Sequence, residues 1–191
     1  KAYMDEPVNI PSLTIPEPRP PVSARPTRMR ATDIDKWIAD PYVIYARHIL
    51  RLKPLDILDK DPGAADLGNL IHEALELFTR KFPANLPDNA YDELLICGKE
   101  AFTPFMNQPA AQCLWWPRFE SIAGWFIRQE QAQRRNIGEL LAEVEGVWQF
   151  EVGGKPFSLT TRIDRLESLK DRTIAIIDYK TGSVPGNPEF K

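Results

Sequence analysis

The chain contains little cysteine and little histidine. Its 191 residues include two of each, namely Cys97 and Cys113, and His48 and His72. Two cysteines without a C-x-x-C spacing are too few for a disulfide framework. This usage predicts ordinary core thiols and a reducing cytoplasm.

Long apolar runs and a strong charge excess are also lacking. No stretch approaches the roughly 20 apolar residues that cross a bilayer, and no secretory signal opens the sequence, so no membrane association is predicted. The net charge of −3 gives no direct support for nucleic-acid binding, but it permits a local basic groove. No Gly-x-x-x-x-Gly-Lys-Ser/Thr phosphate loop is present, so ATP hydrolysis is not expected of this chain.

Prolines, in contrast, are frequent near the start. They recur between Pro7 and Pro26 without any hydrophobic period, which is typical of an extended linker or a strap over a surface. We therefore predict a proline-rich segment over residues 1–27 and a single domain over residues 28–191, with ordered elements beginning at Thr32.

Helical patterns fill the middle of the chain. Thr32-Asp-Ile-Asp35 is a helix-start signal, and Asp40-Pro41 predicts an N-cap and first turn for a helix reaching Leu52. Apolar residues at three- and four-residue steps predict a helix over 66–82, and others are predicted over 88–106 and 118–136. We expect the aromatic residues of the last region to lie in the core: Trp115, Trp116, Phe119, Trp125 and Phe126.

Strand patterns follow from Gly138. Alternation over 144–152, a turn at Gly153-Gly154, a second strand over 157–166 and a third opening at Ile174 predict an antiparallel meander. This pairing brings Asp164 close to Asp178, where two carboxylates repel each other and a divalent cation is the usual remedy. Lys180, two residues further on, is suited to orienting or deprotonating a water, or to offsetting charge on a phosphate.

The string Arg162-Ile-Asp164-Arg165, followed by Asp178-Tyr-Lys180-Thr-Gly182, resembles the RecB-like branch of the PD-(D/E)xK nuclease superfamily. Gly68-x-x-x-His72 matches a further motif of that branch. The paired helices around Asp40-Pro41 resemble the C-terminal nuclease domain of bacterial AddB subunits. The implied fold is a restriction-endonuclease-like α+β or α/β core, with an antiparallel meander preceded by helices. Because the chain stops at Lys191, the resemblance implies that the C-terminal part of this fold is missing.

The resemblance also implies a site. Mg²⁺, or Mn²⁺ in its place, would be held by His72, Asp164, Asp178 and the backbone carbonyl of Tyr179, with Asp164, Asp178 and Lys180 as the catalytic residues. Glu143 or Glu145 is a further candidate ligand from the neighbouring strand. Some members of the branch hold an iron–sulfur cluster through a cysteine just before the proline. Here that residue is Asp40, so no cluster is predicted.

The resemblance further implies single-stranded DNA as substrate, an AddA-type helicase subunit as partner, and a role in double-strand-break repair in the bacterial cytoplasm. A related nuclease acting outside such a complex, and a non-catalytic module that binds DNA or a subunit, remain alternatives. Without the resemblance, a lone histidine beside an apolar face is more often structural, and an exposed Asp–Lys pair contributes little to stability. Thr161 replaces the glycine that usually precedes the Arg-Ile-Asp-Arg string.

Overall fold

The structure, a computed structural model, describes residues 15, 17–55, 63–109 and 111–182. These residues form a mixed α+β fold, as predicted, in which helices pack beside one four-stranded sheet. The helices are α1 (Thr32–Ala39), α2 (Pro41–Ile44), α3 (Ala64–Lys81), α4 (Ala90–Phe102) and α5 (Trp116–Gln133). The strands are β1 (Arg28–Arg30), β2 (Ile137–Val152), β3 (Lys155–Leu169) and β4 (Ile174–Ile177).

Strand β3 lies at the centre of the sheet. It pairs antiparallel with β2 along its whole length through a two-residue turn, in which Gly153 and Gly154 have φ of +59° and +72°. Such positive φ values favour glycine, so this turn follows directly from the sequence. On the other side of β3, β1 pairs parallel with its first half and β4 antiparallel with its second half. The predicted meander β2–β3–β4 is thus confirmed.

Strand β1 is an addition to what the sequence predicts. Ordered structure was expected from Thr32, but the sheet already begins at Arg28. Met29 is buried there, and the backbone continues the pairing through bonds from Ala31 N to Thr160 O (2.8 Å) and from Ser158 N to Thr27 O (2.9 Å). A three-residue strand is too short to show a recognisable alternation.

The hydrophobic core lies between α3, α4 and α5. Its fully buried side chains come from all three helices and include Ile71, Phe78, Leu94, Phe102 and Phe119. Helix α3 also packs against β2, which places one side of this helix beside the sheet. Of the predicted core aromatics, Trp115, Phe119 and Phe126 are buried and Trp116 is partly buried. The expectation for Trp125 was wrong: it is 54% exposed, because it lies off the face of α5 that packs on α4.

The helix boundaries differ modestly from the predicted ones. The side chain of Asp40 caps α2 as expected, since its Oδ1 accepts a hydrogen bond from Tyr42 N at 3.0 Å. Beyond Ile44, however, the predicted helix becomes a wider π turn over Tyr45–Ile49. None of the helices in the described ranges is long and apolar enough to cross a membrane. Pro7, Pro11 and Pro16 of the predicted strap and the chain after Gly182 lie outside the described residues.

Candidate metal centre

Helix α3 presents His72 beside the sheet. Its neighbours Ile71, Ala74 and Leu75 are buried in the helical core, whereas the His72 side chain is 29% exposed. The imidazole Nδ1 lies 3.4 Å from the carboxylate Oδ2 of Asp164 on β3. The apolar periodicity of α3 therefore determines which way His72 points, and packing of α3 on the sheet brings it to Asp164.

Asp164 is oriented by the chain that leaves β4. Its Oδ2 accepts a hydrogen bond from the backbone N–H of Tyr179 at 2.8 Å. The β3–β4 register pairs Arg165 with Ile177, so the next positions outward are Asp164 and Asp178. The antiparallel approach that the sequence predicts is therefore present, and a backbone donor already satisfies one oxygen of Asp164.

Glu143 completes a group of three candidate metal ligands. Ala142 pairs with Arg165 and Val144 with Ile163, which places Glu143 directly across from Asp164. The backbone of Glu143 has φ of +52°, a left-handed conformation that non-glycine residues rarely adopt and that often marks functional sites. One ligand atom each of His72, Glu143 and Asp164 lies within 4.8 Å of the others. Glu145, the other candidate on β2, instead pairs with Arg28 at 2.6 Å.

The side chain of Arg162 already places a positive charge among these carboxylates. The guanidinium of Arg162 forms an ion pair with the carboxylate of Glu143 and lies 4.0 Å from that of Glu76. The space between the carboxylates of Glu143 and Glu76 therefore accommodates a positive charge. One imidazole nitrogen and two carboxylates also form a donor set that suits Mn²⁺ and, through the oxygens, Mg²⁺. The residues present therefore fit a divalent metal ion.

Lys180 and Asp178 lie beside this group rather than within it. Their side chains form an ion pair with each other, and they are 59% and 57% exposed. The hydrogen bond that Lys180 donates to Asp178 raises the pKa of Lys180 above its ordinary value. Lys180 lines the same groove as His72 and Asp164, whereas Asp178 is absent from that lining. Asp178 thus stays a predicted ligand that the geometry does not bring to the other three.

Gly68 has a steric reason to be glycine. A Cβ built at this position would lie 3.1 Å from Oγ1 of Thr181, tighter than nine in ten real Cβ contacts. The same segment is held from the other side, because Arg118 on α5 donates to the carbonyl of Thr181 at 2.9 Å. Gly68 lies one helical turn before His72, so α3 contacts the segment at Thr181 on the same side of the helix as the histidine.

A network of buried charged side chains around Arg165 lies next to the candidate metal centre and contacts Tyr179. Arg165, which is 2% exposed, forms an ion pair with Glu130 of α5 and another with Glu167 at 2.6 Å. Its Nη1 also donates to the hydroxyl of Tyr179 at 3.3 Å. Burial alone would lower the pKa of Arg165, but the hydrogen bond to Glu130 raises it overall, so the guanidinium stays charged. Glu130 also pairs with Arg134, which ties this network to the end of α5.

The ring of Tyr179 links this network to His72. It packs edge-on against His72 and against Phe126, with ring centroids 6.0 Å apart in each pair. Burial raises the pKa of the Tyr179 phenol above its usual value of 10.0, although Arg165 opposes the shift. Sequence reasoning assigned Tyr179 only a backbone role and missed the side-chain roles of Arg165 and Glu130. No local signal marked these two residues, because β3 carries several other charged side chains, including Arg162, Asp164 and Glu167.

The side chains together form an open groove of about 690 Å³. Its lining has more carboxylates than cations: Glu73, Glu76, Glu143 and Asp164 against Arg162 and Lys180. Such a groove repels a polyanion unless a bound cation offsets its charge. His72, Asp164, Tyr179 and Lys180, all expected at the site, are brought together here.

Comparison with known proteins identifies a family. The family model of the PD-(D/E)XK nuclease superfamily matches residues 32–190. Uncharacterized proteins of Rickettsia bellii (strain RML369-C) and Rickettsia conorii (strain Malish 7) are 27% and 29% identical, each over 87% of this chain. A third such protein, from Rickettsia typhi (strain Wilmington), is 28% identical. The chain spans 20% of the length of these relatives.

Proposed function

Because the chain belongs to the PD-(D/E)XK nuclease superfamily, we propose that it is a metal-dependent deoxyribonuclease domain that hydrolyses phosphodiester bonds. One observation carries the proposal: His72, Glu143 and Asp164 converge, with ligand atoms within 4.8 Å of one another, in the groove that Lys180 also lines. An exposed acidic cluster is common in proteins, but metal-ligating side chains beside a lysine that can stabilise developing charge suit phosphoryl-transfer chemistry.

The proposed metal ligands are His72, Asp164 and Glu143, with Asp178 and the carbonyl of Tyr179 as the further ligands that the family motif implies. The ion is Mg²⁺, with Mn²⁺ as a substitute, because carboxylate and carbonyl oxygens suit both. When bound, such an ion polarises the phosphate and lowers the pKa of a water.

The chain's own residues then have distinct tasks. Lys180, whose pKa Asp178 raises further, is a hydrogen-bond donor for a phosphate oxygen or the attacking water rather than a base. The Tyr179 N–H fixes Asp164 through its 2.8 Å bond, and the Tyr179 ring limits how far His72 can turn. Arg165 positions Tyr179 from the buried side and does not touch the substrate.

The substrate and the cellular setting belong to the same proposal. We propose single-stranded DNA as the substrate and a role in double-strand-break repair within an AddAB-type helicase–nuclease. The helices that open with Thr32 and Asp40 support this setting, as does the length of the relatives, four fifths of which lies outside the matched part. Co-expression of the full-length protein with the AddA-type subunit of the same genome tests the partnership. Separate elution of the two proteins in size-exclusion chromatography would contradict it.

Cleavage of labelled single-stranded DNA with Mg²⁺, with Mn²⁺ and with EDTA tests the activity. We expect metal-dependent cutting that Lys180→Ala lowers by at least about 100-fold, the effect of losing one donor to a developing charge. Lys170→Ala, in the exposed turn after β3, is the matched control and should cut normally. Cutting in EDTA, or full activity of Lys180→Ala, contradicts the proposed site. A protein that binds metal but never cuts, both as this chain and when extended past Lys191, is a non-catalytic module.

A further inference from the structure

A second groove, here called the basic groove, has more cations than carboxylates in its lining, the opposite of the acidic groove at the candidate metal centre. It encloses about 720 Å³ near β1 and the first helices. Five cationic side chains line it: Arg28, Arg30, Lys36, Arg47 and Lys53. Only two carboxylates, Asp33 and Glu145, lie among them. In a chain whose net charge is −3, this groove concentrates positive charge at one place.

Asp33 organises the cations rather than cancelling them. It is 4% exposed, and its Oδ1 accepts hydrogen bonds from Lys36 at 3.2 Å and from Arg47 at 3.1 Å. A buried carboxylate that binds two half-exposed cations fixes their positions at the wall of the groove. The lysine and arginine side chains therefore lose less freedom on binding an anion than unrestrained surface side chains do.

Two further cations of the groove lie outside the Asp33 network. Arg30 at the end of β1 and Lys53 after the π turn are exposed, and neither forms an ion pair with any residue in ranges 17–55, 63–109 or 111–182. Both line the groove. They are thus available to an anion from outside without breaking an internal contact.

The basic groove and the candidate metal centre lie on one face of the sheet. Thr160 lines the basic groove and Asp164 the acidic groove, with Arg162 between them on the same side of β3. Four residues of a strand span about 13 Å at 3.3 Å per residue. A nucleic-acid strand stacked as in B-DNA, at 3.4 Å per nucleotide, covers this distance with about four nucleotides.

We propose that the basic groove binds the phosphate backbone of the single-stranded DNA about four nucleotides from the bond at the metal centre. The inference rests on the proposed function for its ligand. The acidic centre alone repels DNA, so the cationic groove supplies the attraction that brings the strand to β3. Arg30 and Lys53 contact phosphates, and Arg28, Lys36 and Arg47 form the wall.

Equilibrium binding of a fluorescent single-stranded 20-mer, measured by anisotropy in EDTA, tests the groove without any cleavage. We expect Arg30→Gln/Lys53→Gln to bind at least tenfold more weakly at low salt. Each lost phosphate contact reduces the magnitude of the slope of log affinity against log salt concentration by about 0.7. The slope of the double variant should therefore be shallower than that of the wild-type protein by about 1.4. Lys99→Gln/Arg128→Gln, exposed on α4 and α5, removes the same charge elsewhere and is the matched control.

Every outcome bears on the groove. Equal affinity of the two double variants, or no binding by the wild-type protein, overturns the proposal and makes the groove a solvated face. Competition by inorganic phosphate beyond that of chloride at matched ionic strength reassigns it to a small anion. Arg30→Gln alone, which removes one exposed side chain, repeats the measurement should the double variant fail to fold. A protein that binds through the groove but never cleaves retains this site while losing the proposed nuclease function.

Discussion

The imidazole Nδ1 of His72 lies 3.4 Å from Oδ2 of Asp164, so a helix and a strand far apart in the chain meet at one pair of polar atoms. His72 is only 29% exposed and Asp164 only 15%, so both groups are largely withdrawn from water. Such desolvation costs free energy unless a partner compensates for it. In our proposal that partner is a metal ion.

Replacing His72 tests this relationship directly. We expect His72→Ala to weaken Mn²⁺ binding by more than about 100-fold, the upper end of what supporting residues cost at metal sites. Isothermal titration calorimetry measures this. His48→Ala is the matched control, because His48 is the other histidine and lies beside Asp33 instead. Equal loss of metal affinity in both variants would remove His72 from the site.

Glu143 and Glu145 offer a comparison on a single strand. Glu143→Gln should lower Mn²⁺ affinity by roughly tenfold or more, since it removes one charged ligand next to Asp164. Glu145→Gln should leave affinity unchanged, because that carboxylate pairs with Arg28 away from the centre. Calorimetry of the two variants at one pH decides the question. The reverse order of affinities would mean that the left-handed backbone at Glu143 has no role in metal binding.

Replacing Gly68 by alanine separates the effect of close packing at the site from the effect of helix propensity on stability. Alanine in a helix interior normally stabilises by about 0.5–1 kcal/mol relative to glycine. Gly124→Ala on α5 should show this gain, because its Cβ would meet only ordinary contacts at 3.5 Å and beyond. Gly68→Ala should gain less in urea unfolding and should lower the cleavage rate, because Thr181 must move away from the new methyl group. Identical behaviour of the two variants would argue against a tight approach at Gly68.

Arg165 carries the largest stability prediction. Arg165→Met leaves Glu130 paired with Arg134 alone and removes the cation that pairs with the buried Glu167, so we expect a loss of about 3–5 kcal/mol in the free energy of unfolding. Urea denaturation measures it. Arg162→Met, on the same strand but 70% exposed, is the matched control and should cost less than about 1 kcal/mol. A small loss for Arg165→Met would mean that the two glutamates take up protons or reach water at little cost.

The sequence by itself determined the longer elements and pointed to most of the candidate site. Apolar spacing located α3, and with it His72, because helix periodicity is a local property. Alternation and the Gly153-Gly154 turn defined β2 and β3, and the predicted pairing of β3 with β4 brings Asp164 toward Asp178. The family motifs, a pattern in the chain alone, pointed to His72, Asp164 and Lys180 before any distance was known.

Only the tertiary structure decided which side chains meet. Glu143 and Glu145 look alike in the sequence, but a left-handed residue in β2 directs Glu143 to the centre while Glu145 pairs with Arg28. Asp178, favoured by the motif, pairs with Lys180 outside the group. The Arg165 network and the basic groove join residues from separate elements, so no local pattern could reveal them. Periodicity and turn chemistry act over a few residues, whereas ligand geometry and charge pairing depend on how the elements pack.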